Sequence, residues 1–149
     1  MPIRDFTFRD IFFICDLDEK EFSKYNGPCA MASLRCMAEP TTQTLIYAHD
    51  QLPNLQLGFA IVQWKKDHSY LAEIATTPDG RRQGIGLALI EESARRMCAI
   101  CPHHVMLLDV AEHNLDAQRL FTRFGFQLQN RISTKYKSGQ SALRMVKHF

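Results

Sequence analysis

The sequence predicts an α/β (α+β) fold, with a mixed, mostly antiparallel sheet of about seven strands and about four helices on its two faces. Two observations predict it. Strand-like residues 68–77 and 105–111 are each followed by a helical pattern, as in α/β units. Residues 44–66 and 126–147 instead read as hairpins, which add antiparallel strands. At 149 residues the chain fits one domain, so we expect residues 1–149 to form it.

The predicted strands are bounded by turn-forming residues. In chain order they are residues 3–8, 44–49, 55–66, 68–77, 105–111, 126–135 and 141–147. The segment Asp50-Gln-Leu-Pro-Asn54 joins the second strand to the third, and Ser138-Gly139 lies between the last two. Both pairs therefore predict hairpins.

The predicted helices show apolar residues at helical spacing, followed by stop signals. They are residues 10–19, residues 29–38, a helix that runs from the glycine loop to about residue 100, and residues 115–124. The first carries Ile11, Ile14 and Leu17 on one side. Pro40 and Pro102 end the second and third helices, and Gly125 closes the fourth.

Composition and cysteine usage narrow the class of protein. Hydrophobic residues make up 46% of the chain and charged residues 23%, as in ordinary globular proteins. No apolar run is long enough for a membrane span, and no signal-peptide pattern opens the chain, so we expect a cytoplasmic protein. The five cysteines predict reduced thiols. Cys98-x-x-Cys101 lacks a second cysteine pair that would complete a zinc site, so we expect no metal.

Basic residues gather towards the end of the chain, although the net charge is only +2. Asp116 is the last acidic residue, and seven Lys and Arg residues follow it. This pattern favours a phosphate-bearing cofactor or an acidic acceptor, although a solvated surface explains it equally well. The sequence gives no direct indication of nucleic-acid binding, and a homodimer stays open.

Residues 76–93, TTPDGRRQGIGLALIEES, read as the end of a strand, a glycine-bearing loop and the start of a helix. The unpaired N–H groups and partial positive charge of a helix N-terminus bind phosphate, and Arg81 and Arg82 add charge. The dinucleotide fingerprint fails because Leu89 occupies its third glycine position, and no G-x-x-x-x-G-K-[ST] phosphate loop occurs. A plain tight turn remains an alternative.

A second motif, N-x-x-A-x-x-L-F-x-x-F-G-F, spans residues 114–126 after the strand-like 105–111. Together with P-x-x-R-x-x-G-x-G-x-x-L at residues 78–89, it resembles the GNAT superfamily of acyl-CoA-dependent N-acyltransferases. The resemblance covers residues 68–149, and is looser over residues 1–67. Two spaced motifs in the matching structural context are far more specific than either alone.

The resemblance implies acetyl-CoA as co-substrate, held by main-chain groups along a strand and by the glycine loop. The residues that it assigns to coenzyme binding are Ile74, Ala75, Thr76, Arg81, Arg82, Gln83, Gly84, Ile85, Gly86, Leu87 and Asn114. Asn114 is also placed to cap the following helix, and one side chain could do both.

The resemblance also indicates catalytic groups. Asp109 matches the strand glutamate that serves as base in the RimI-like N-terminal acetyltransferases, the branch nearest in its motifs. A structural aspartate satisfied by loop amides is the alternative, and Glu73 is a rival base. Phe121 stands where the family commonly has a tyrosine that protonates the departing thiolate, and phenylalanine cannot donate. Tyr136, Tyr70 and His113 are candidate substitutes.

The acceptor is the least specified part of the prediction. Residues 135–145, KYKSGQSALRM, resemble the hairpin ending of protein N-terminal acetyltransferases, in which a tyrosine holds peptide backbone. Tyr136 takes that place, so the resemblance favours a peptide N-terminus as the amine acceptor. A small amine such as a polyamine or amino sugar is the second possibility. Because Phe121 removes the usual acid, a non-catalytic acyl-CoA-binding module is the third.

Overall fold

A computed structural model describes residues 2–27 and 30–149 and shows one seven-stranded sheet. The strands are β1 (Ile3–Asp5), β2 (Thr42–Ala48), β3 (Gln56–Trp64), β4 (Ser69–Thr76), β5 (Val105–Ala111), β6 (Gln127–Ile132) and β7 (Ala142–His148). Their order across the sheet is β1-β2-β3-β4-β5-β7-β6. Only β4 and β5 pair in parallel, and every other neighbouring pair is antiparallel. The predicted mixed, mostly antiparallel sheet is confirmed.

The described part of the chain contains four α-helices, which are α1 (Ile11–Asn26), α2 (Ala30–Ala38), α3 (Ile85–Ile100) and α4 (Leu115–Phe124). Helix α1 is longer than predicted because Tyr25 continues its buried face beyond Leu17, and Gly27 then ends it at a φ of 68°. The predicted start of the second helix at Cys29 lies outside the described residues. Within the described ranges, no helix has the length and apolar character needed to cross a bilayer.

The first and sixth strands are shorter than predicted. After β1, residues 8–10 form a single 3-10 turn because Asp10 accepts a hydrogen bond from the Thr7 N–H at 2.8 Å. Arg4 pairs with the same carboxylate at 2.8 Å and fixes the turn against the strand. Strand β6 ends at Ile132, and Thr134 has a left-handed φ of 49°, which is incompatible with a continued strand. Residues 133–141 consequently form a long turn between β6 and β7.

Helices cover both faces of the sheet, as predicted. On one face, α3 and α4 bury an apolar cluster that includes Leu89, Ile90, Phe121 and Phe126. On the other face, α1 buries Ile14 and Leu17 with residues of the central strands. Strand β3 contributes to both clusters, because its residues alternate between the two faces.

Strands β4 and β5 pair over only three residues each and then diverge. Residues 69–71 pair with residues 106–108, whereas the later residues of the two strands have no partners across this gap. A β-bulge precedes the divergence: Leu71 pairs with Val62 and Glu73 pairs with Ile61, so Ala72 is an extra residue. A bulge re-aims the strand that carries it. It turns Glu73 and the rest of β4 away from β5 and opens the sheet there.

Candidate active site

A cavity of about 190 Å³ lies where β4 and β5 diverge. Its wall comes from both strands, from α1, α2 and α4, and from the turn before β7. The polar side chains that line it include Tyr25, Asn26, Glu73, Asp109, Asn114 and Tyr136. The structure thus brings all three predicted catalytic residues to one cavity, although they lie far apart in the sequence.

Glu73 occupies the β4 wall and contacts a buried polar group behind it. Its Oε1 accepts a hydrogen bond of 2.7 Å from the Ser33 hydroxyl on α2. The same hydroxyl lies 3.0 Å from Oδ2 of Asp18 on α1. The pKa of Glu73 is raised to about 8, mainly by burial; the Ser33 hydrogen bond lowers it, and Asp18 contributes to the increase. A carboxyl group with this pKa accepts and releases protons near neutral pH.

Asp109 occupies the β5 wall as the centre of an ion-paired network. Arg144 of β7 donates two hydrogen bonds to it, at 2.9 and 3.0 Å, and Lys135 forms a second ion pair. The Tyr70 hydroxyl donates a hydrogen bond of 2.9 Å to Oδ2 of Asp109. Burial alone would raise the pKa of Asp109, but the Arg144 and Lys135 hydrogen bonds outweigh it and lower the pKa to about 2.

This network explains how the negative charge of Asp109 is tolerated in the otherwise apolar strand β5. Asp109 is satisfied by side chains of β7 and the preceding turn, rather than by the loop amides of the alternative given above. A carboxylate held at so low a pKa is a weak proton acceptor at neutral pH. Of the two predicted bases, Glu73 therefore has the better matched pKa.

Tyr136 is the one of the three candidate acids that lines the cavity. Burial, together with the negative charge of Asp109, raises the pKa of Tyr136 to about 12, so its hydroxyl stays protonated. Tyr70 is committed to Asp109, and the His113 side chain is 75% exposed beside Glu112. Phe121 is buried in the wall of the cavity.

The turn that carries Tyr136 is fastened to the end of α1. The Ser138 N–H donates to the Tyr25 carbonyl at 2.8 Å, and the Lys137 N–H donates to Oδ1 of Asn26 at 3.0 Å. The rings of Tyr25 and Tyr136 lie 5.8 Å apart. These contacts hold Tyr136 over the cavity from the side of α1.

The predicted coenzyme loop lies between β4 and α3. Gly84 adopts a left-handed φ of 75° as the N-cap of α3, and the first helical hydrogen bond runs from the Ala88 N–H to the Gly84 carbonyl. The N–H groups of residues 85–87 precede that bond, so they are the unpaired donors of a helix start. Arg81 forms an ion pair with Glu21 of α1. The loop therefore has the open helix N-terminus that the sequence predicts.

Two further residues predicted to bind the coenzyme, Gly86 and Asn114, lie near α4. Gly86 approaches α4 closely, because a Cβ at this position would lie 2.9 Å from a Leu120 methyl group. Asn114 caps α4 by accepting a hydrogen bond of 3.3 Å from the Ala117 N–H, and it also lines the cavity. Ile74 lines the cavity too, where Ala75 and Thr76 continue β4 towards the loop.

Sequence reasoning missed Ser33, Asp18, Arg144 and Lys135 as partners of the two carboxyl groups. One signal was available for Asp18: it lies one residue from Leu17 on the buried side of α1, where an acidic residue needs a partner. No local pattern pointed to Ser33. The Cys98 and Cys101 thiols are free, and the described residues hold no group of three or more potential metal ligands.

A family model for the acetyltransferase (GNAT) domain matches residues 40–128 of the sequence. The chain therefore belongs to the GNAT acetyltransferase family. Enzymes of this family are acyl-CoA-dependent N-acetyltransferases, and the chain is one of them. Among curated proteins, none is similar enough in sequence to count as a match.

Solved structures of acetyltransferases share the fold. Arabidopsis thaliana NAA60, in complex with a bisubstrate analogue, has a TM-score of 0.82 at 16% identity over 99% of this chain and 98% of that one. The ribosomal-protein-S18-alanine N-acetyltransferase from Escherichia coli has a TM-score of 0.78 at 22% identity, over 97% and 90%. Spermidine N-acetyltransferase from Vibrio cholerae, with CoA and spermine, has a TM-score of 0.78 at 17% identity, over 97% and 93%.

Proposed function

We propose that this acetyltransferase acetylates a peptide N-terminal α-amine, with Glu73 as the base. The observation that carries the proposal is that Glu73, a carboxyl group of raised pKa, lines the cavity between β4 and β5, while β4 runs on from it to the loop before the open N-terminus of α3. An acetyl donor with a pyrophosphate group and a thioester needs both features. Free thiols also support a reducing, cytoplasmic setting.

The coenzyme would lie along the opened edge of β4. Main-chain groups of residues 74–76 are free of a β5 partner and can bond an extended pantetheine arm. The N–H groups of residues 82–87 and the N-terminus of α3 would hold the pyrophosphate. Asn114 lines the cavity and would contact the arm while it caps α4.

The chemical step needs a neutral amine and a protonated leaving thiol. Glu73 would take a proton from the acceptor ammonium, and the amine would then attack the thioester carbonyl. As the C–S bond breaks, the Tyr136 hydroxyl would give its proton to the departing thiolate and take up the second proton that the nitrogen loses as the amide forms; it would thus stand in for the family tyrosine that Phe121 replaces. A thiol with a pKa of about 8.5 leaves tolerably well near neutral pH, so a weak acid is enough.

An α-amine suits this site better than a lysine side chain. Its pKa of about 7.7 to 8.0 makes the neutral form cost roughly 1.2 kcal/mol at pH 7, against roughly 4.6 kcal/mol for lysine at about 10.4. Tyr136 also lines the cavity from the side of α1, and its hairpin resembles the one whose tyrosine holds peptide backbone in protein N-terminal acetyltransferases. One solved neighbour is named for acetylating a ribosomal-protein alanine, consistent with such an acceptor.

A small polyamine is the second candidate acceptor. Another structural neighbour is a spermidine N-acetyltransferase, whose named substrate is a polyamine. A non-catalytic acyl-CoA-binding module is set aside, because the chain belongs to an enzyme family and carries a carboxyl group suited to proton transfer.

The experiment compares acceptors by thiol release from acetyl-CoA. One peptide is supplied with its N-terminus free and its lysines blocked, then with the blocking reversed, beside spermidine and an amino sugar. We expect turnover mainly on the free N-terminus, and reduced turnover on it by Tyr136→Phe. Activity confined to polyamines or to lysine side chains would refute the acceptor assignment.

A further inference from the structure

Three polar side chains from three different elements meet at the β4 wall of the cavity: two are buried, and the third, Glu73, is half-buried and lines the cavity. Asp18 of α1 is fully buried, and Ser33 of α2 is 1% exposed. The Ser33 hydroxyl lies 3.0 Å from Oδ2 of Asp18 and 2.7 Å from Oε1 of Glu73. We call Asp18, Ser33 and Glu73 the carboxyl triad. A serine hydroxyl has one proton, so it can donate to only one of these two carboxyl groups at a time.

We propose that Asp18 and Ser33 are positioning residues for Glu73, which hold its carboxyl group in place and set when it carries a proton. The proposal rests on the role of Glu73 as base under the proposed function. Ser33 anchors Oε1 of Glu73 to α2. Asp18 places a second acid against the same hydroxyl, so the two carboxyl groups share one buried site.

A shared buried site cannot easily hold two negative charges. Removing a carboxylate from water is costly, and a second negative charge within hydrogen-bonding reach of the same hydroxyl adds repulsion. The negative charge of Asp18 therefore makes the ionised form of Glu73 less favourable. Glu73 also forms no ion pair with a Lys or Arg among the residues that the structure describes.

Within the described part of the chain, the other titratable groups near Glu73 include two thiols on its helical side and, across the cavity, Asp109 and Tyr136. On the helical side, the thiols are Cys15 from α1 and Cys36 from α2, and burial raises the pKa of each. The negative charge of Glu73 also raises the pKa of both thiols, so Glu73 lies near both of them. Glu19 and Asp18 likewise raise the pKa of Cys15. Across the cavity, Asp109 is already paired with Arg144 and Lys135, and Tyr136 is protonated.

The two positioning residues act on Glu73 in opposite directions. The Ser33 hydrogen bond stabilises the ionised carboxylate and lowers the pKa of Glu73. Asp18 stabilises the protonated acid, through its charge and a hydrogen bond, and raises it. A cluster that merely fastens α1 and α2 to the sheet would change stability on mutation without this pair of opposed effects. The experiment should therefore measure whether mutation of Asp18 and mutation of Ser33 shift the pKa of Glu73 in opposite directions.

The experiment titrates Glu73 directly, without acceptor or coenzyme. The protein is labelled with ¹³C-carboxyl glutamate, and the Glu73 resonance is assigned by its loss in Glu73→Gln. We expect Asp18→Asn to lower the Glu73 midpoint by about one pH unit or more, and Ser33→Ala to raise it. Asp16→Asn is the matched control, because Asp16 lies on α1 but is exposed and pairs with Lys20. It should leave the midpoint unchanged.

Midpoints that do not move, or that move in the same direction in both variants, would overturn the proposal. Thermal melting shows whether each variant is folded, and if Asp18→Asn does not fold, the direction of the Ser33→Ala shift decides. Turnover of Glu73→Gln tests the proposed function separately. Full activity of that variant beside opposed midpoint shifts would remove the base role of Glu73 and leave the electrostatic arrangement standing.

Discussion

Replacing Asp109 with Asn tests whether this residue stabilises the fold or performs the chemistry. Asn has the size of Asp and approximates its protonated form, so Asp109→Asn removes the negative charge at little steric cost. The Asp109 side chain is 2% exposed and pairs with Arg144 and Lys135, which are each about one third exposed. The substitution therefore breaks ion pairs in a partly desolvated network, which stabilise the fold more than an exposed surface pair does.

The magnitude follows from the pKa of Asp109. Its lowering from an ordinary value of 3.8 to about 2 corresponds to roughly 2 kcal/mol of stability at neutral pH. Because the folded-state pKa is the lower one, this contribution is present above about pH 4 and is lost as the pH falls through about 2. For a domain of this size we expect Asp109→Asn to lower Tm by roughly 5 °C.

Thermal melting across pH, with turnover measured well below Tm, checks both halves of the prediction. The stability gap between the two proteins should close in acid, and turnover should fall less than about tenfold. Glu112→Gln, which breaks the exposed Glu112–Arg131 pair, is the control and should change little. A loss of turnover above about 100-fold in folded Asp109→Asn would make Asp109 the base and refute this reasoning.

Two further predictions concern the loop and Glu73. Gly86→Glu should raise the Kd for acetyl-CoA more than about 100-fold in a calorimetric titration, because it adds bulk and a negative charge where we propose that the pyrophosphate binds. Gly86→Ala, whose closest contact is the flexible Leu120 side chain, should bind acetyl-CoA more tightly than Gly86→Glu. Unchanged affinity in Gly86→Glu would exclude the loop as the site. Glu73→Gln should be more stable than the parent protein, and the difference in Tm should grow as pH rises from 4.5 to about 8. The reason is that the raised pKa makes the ionised form of Glu73 unfavourable in the folded state. A difference in Tm that stays constant across this pH range would contradict the prediction.

The sequence predicts much of the fold because its elements carry local signals. Residues 105–111 and 115–124 match β5 and α4 in full, since the apolar run and the glycine after the helix are local features. The end of α1 was missed because residues 20–24 are mostly polar, and only Tyr25 and Gly27 show that the helix continues. The β-bulge at Ala72 has no signature in the β4 sequence, although it aims Glu73.

The candidate site was predictable only where a single residue, by its type and position, indicates a role. A carboxylate in an apolar strand required partners, and the glycine loop required a ligand or a turn, so Asp109 and Gly86 were identifiable. Their partners were not. Arg144 reaches Asp109 because β7 pairs with β5, and Ser33 on α2 reaches Glu73 on β4 through a hydrogen bond between elements far apart in the sequence. Neither contact follows from local spacing.

The central claim is that Glu73 accepts the proton of the acceptor amine in the cavity between β4 and β5. Its most direct test is kcat for Glu73→Gln with saturating acetyl-CoA and a free-N-terminus peptide, alongside the Kd for acetyl-CoA. We predict a fall in kcat of about 100-fold or more, the usual contribution of a general base, with little change in Kd. A kcat within about twofold of the parent protein would contradict the claim.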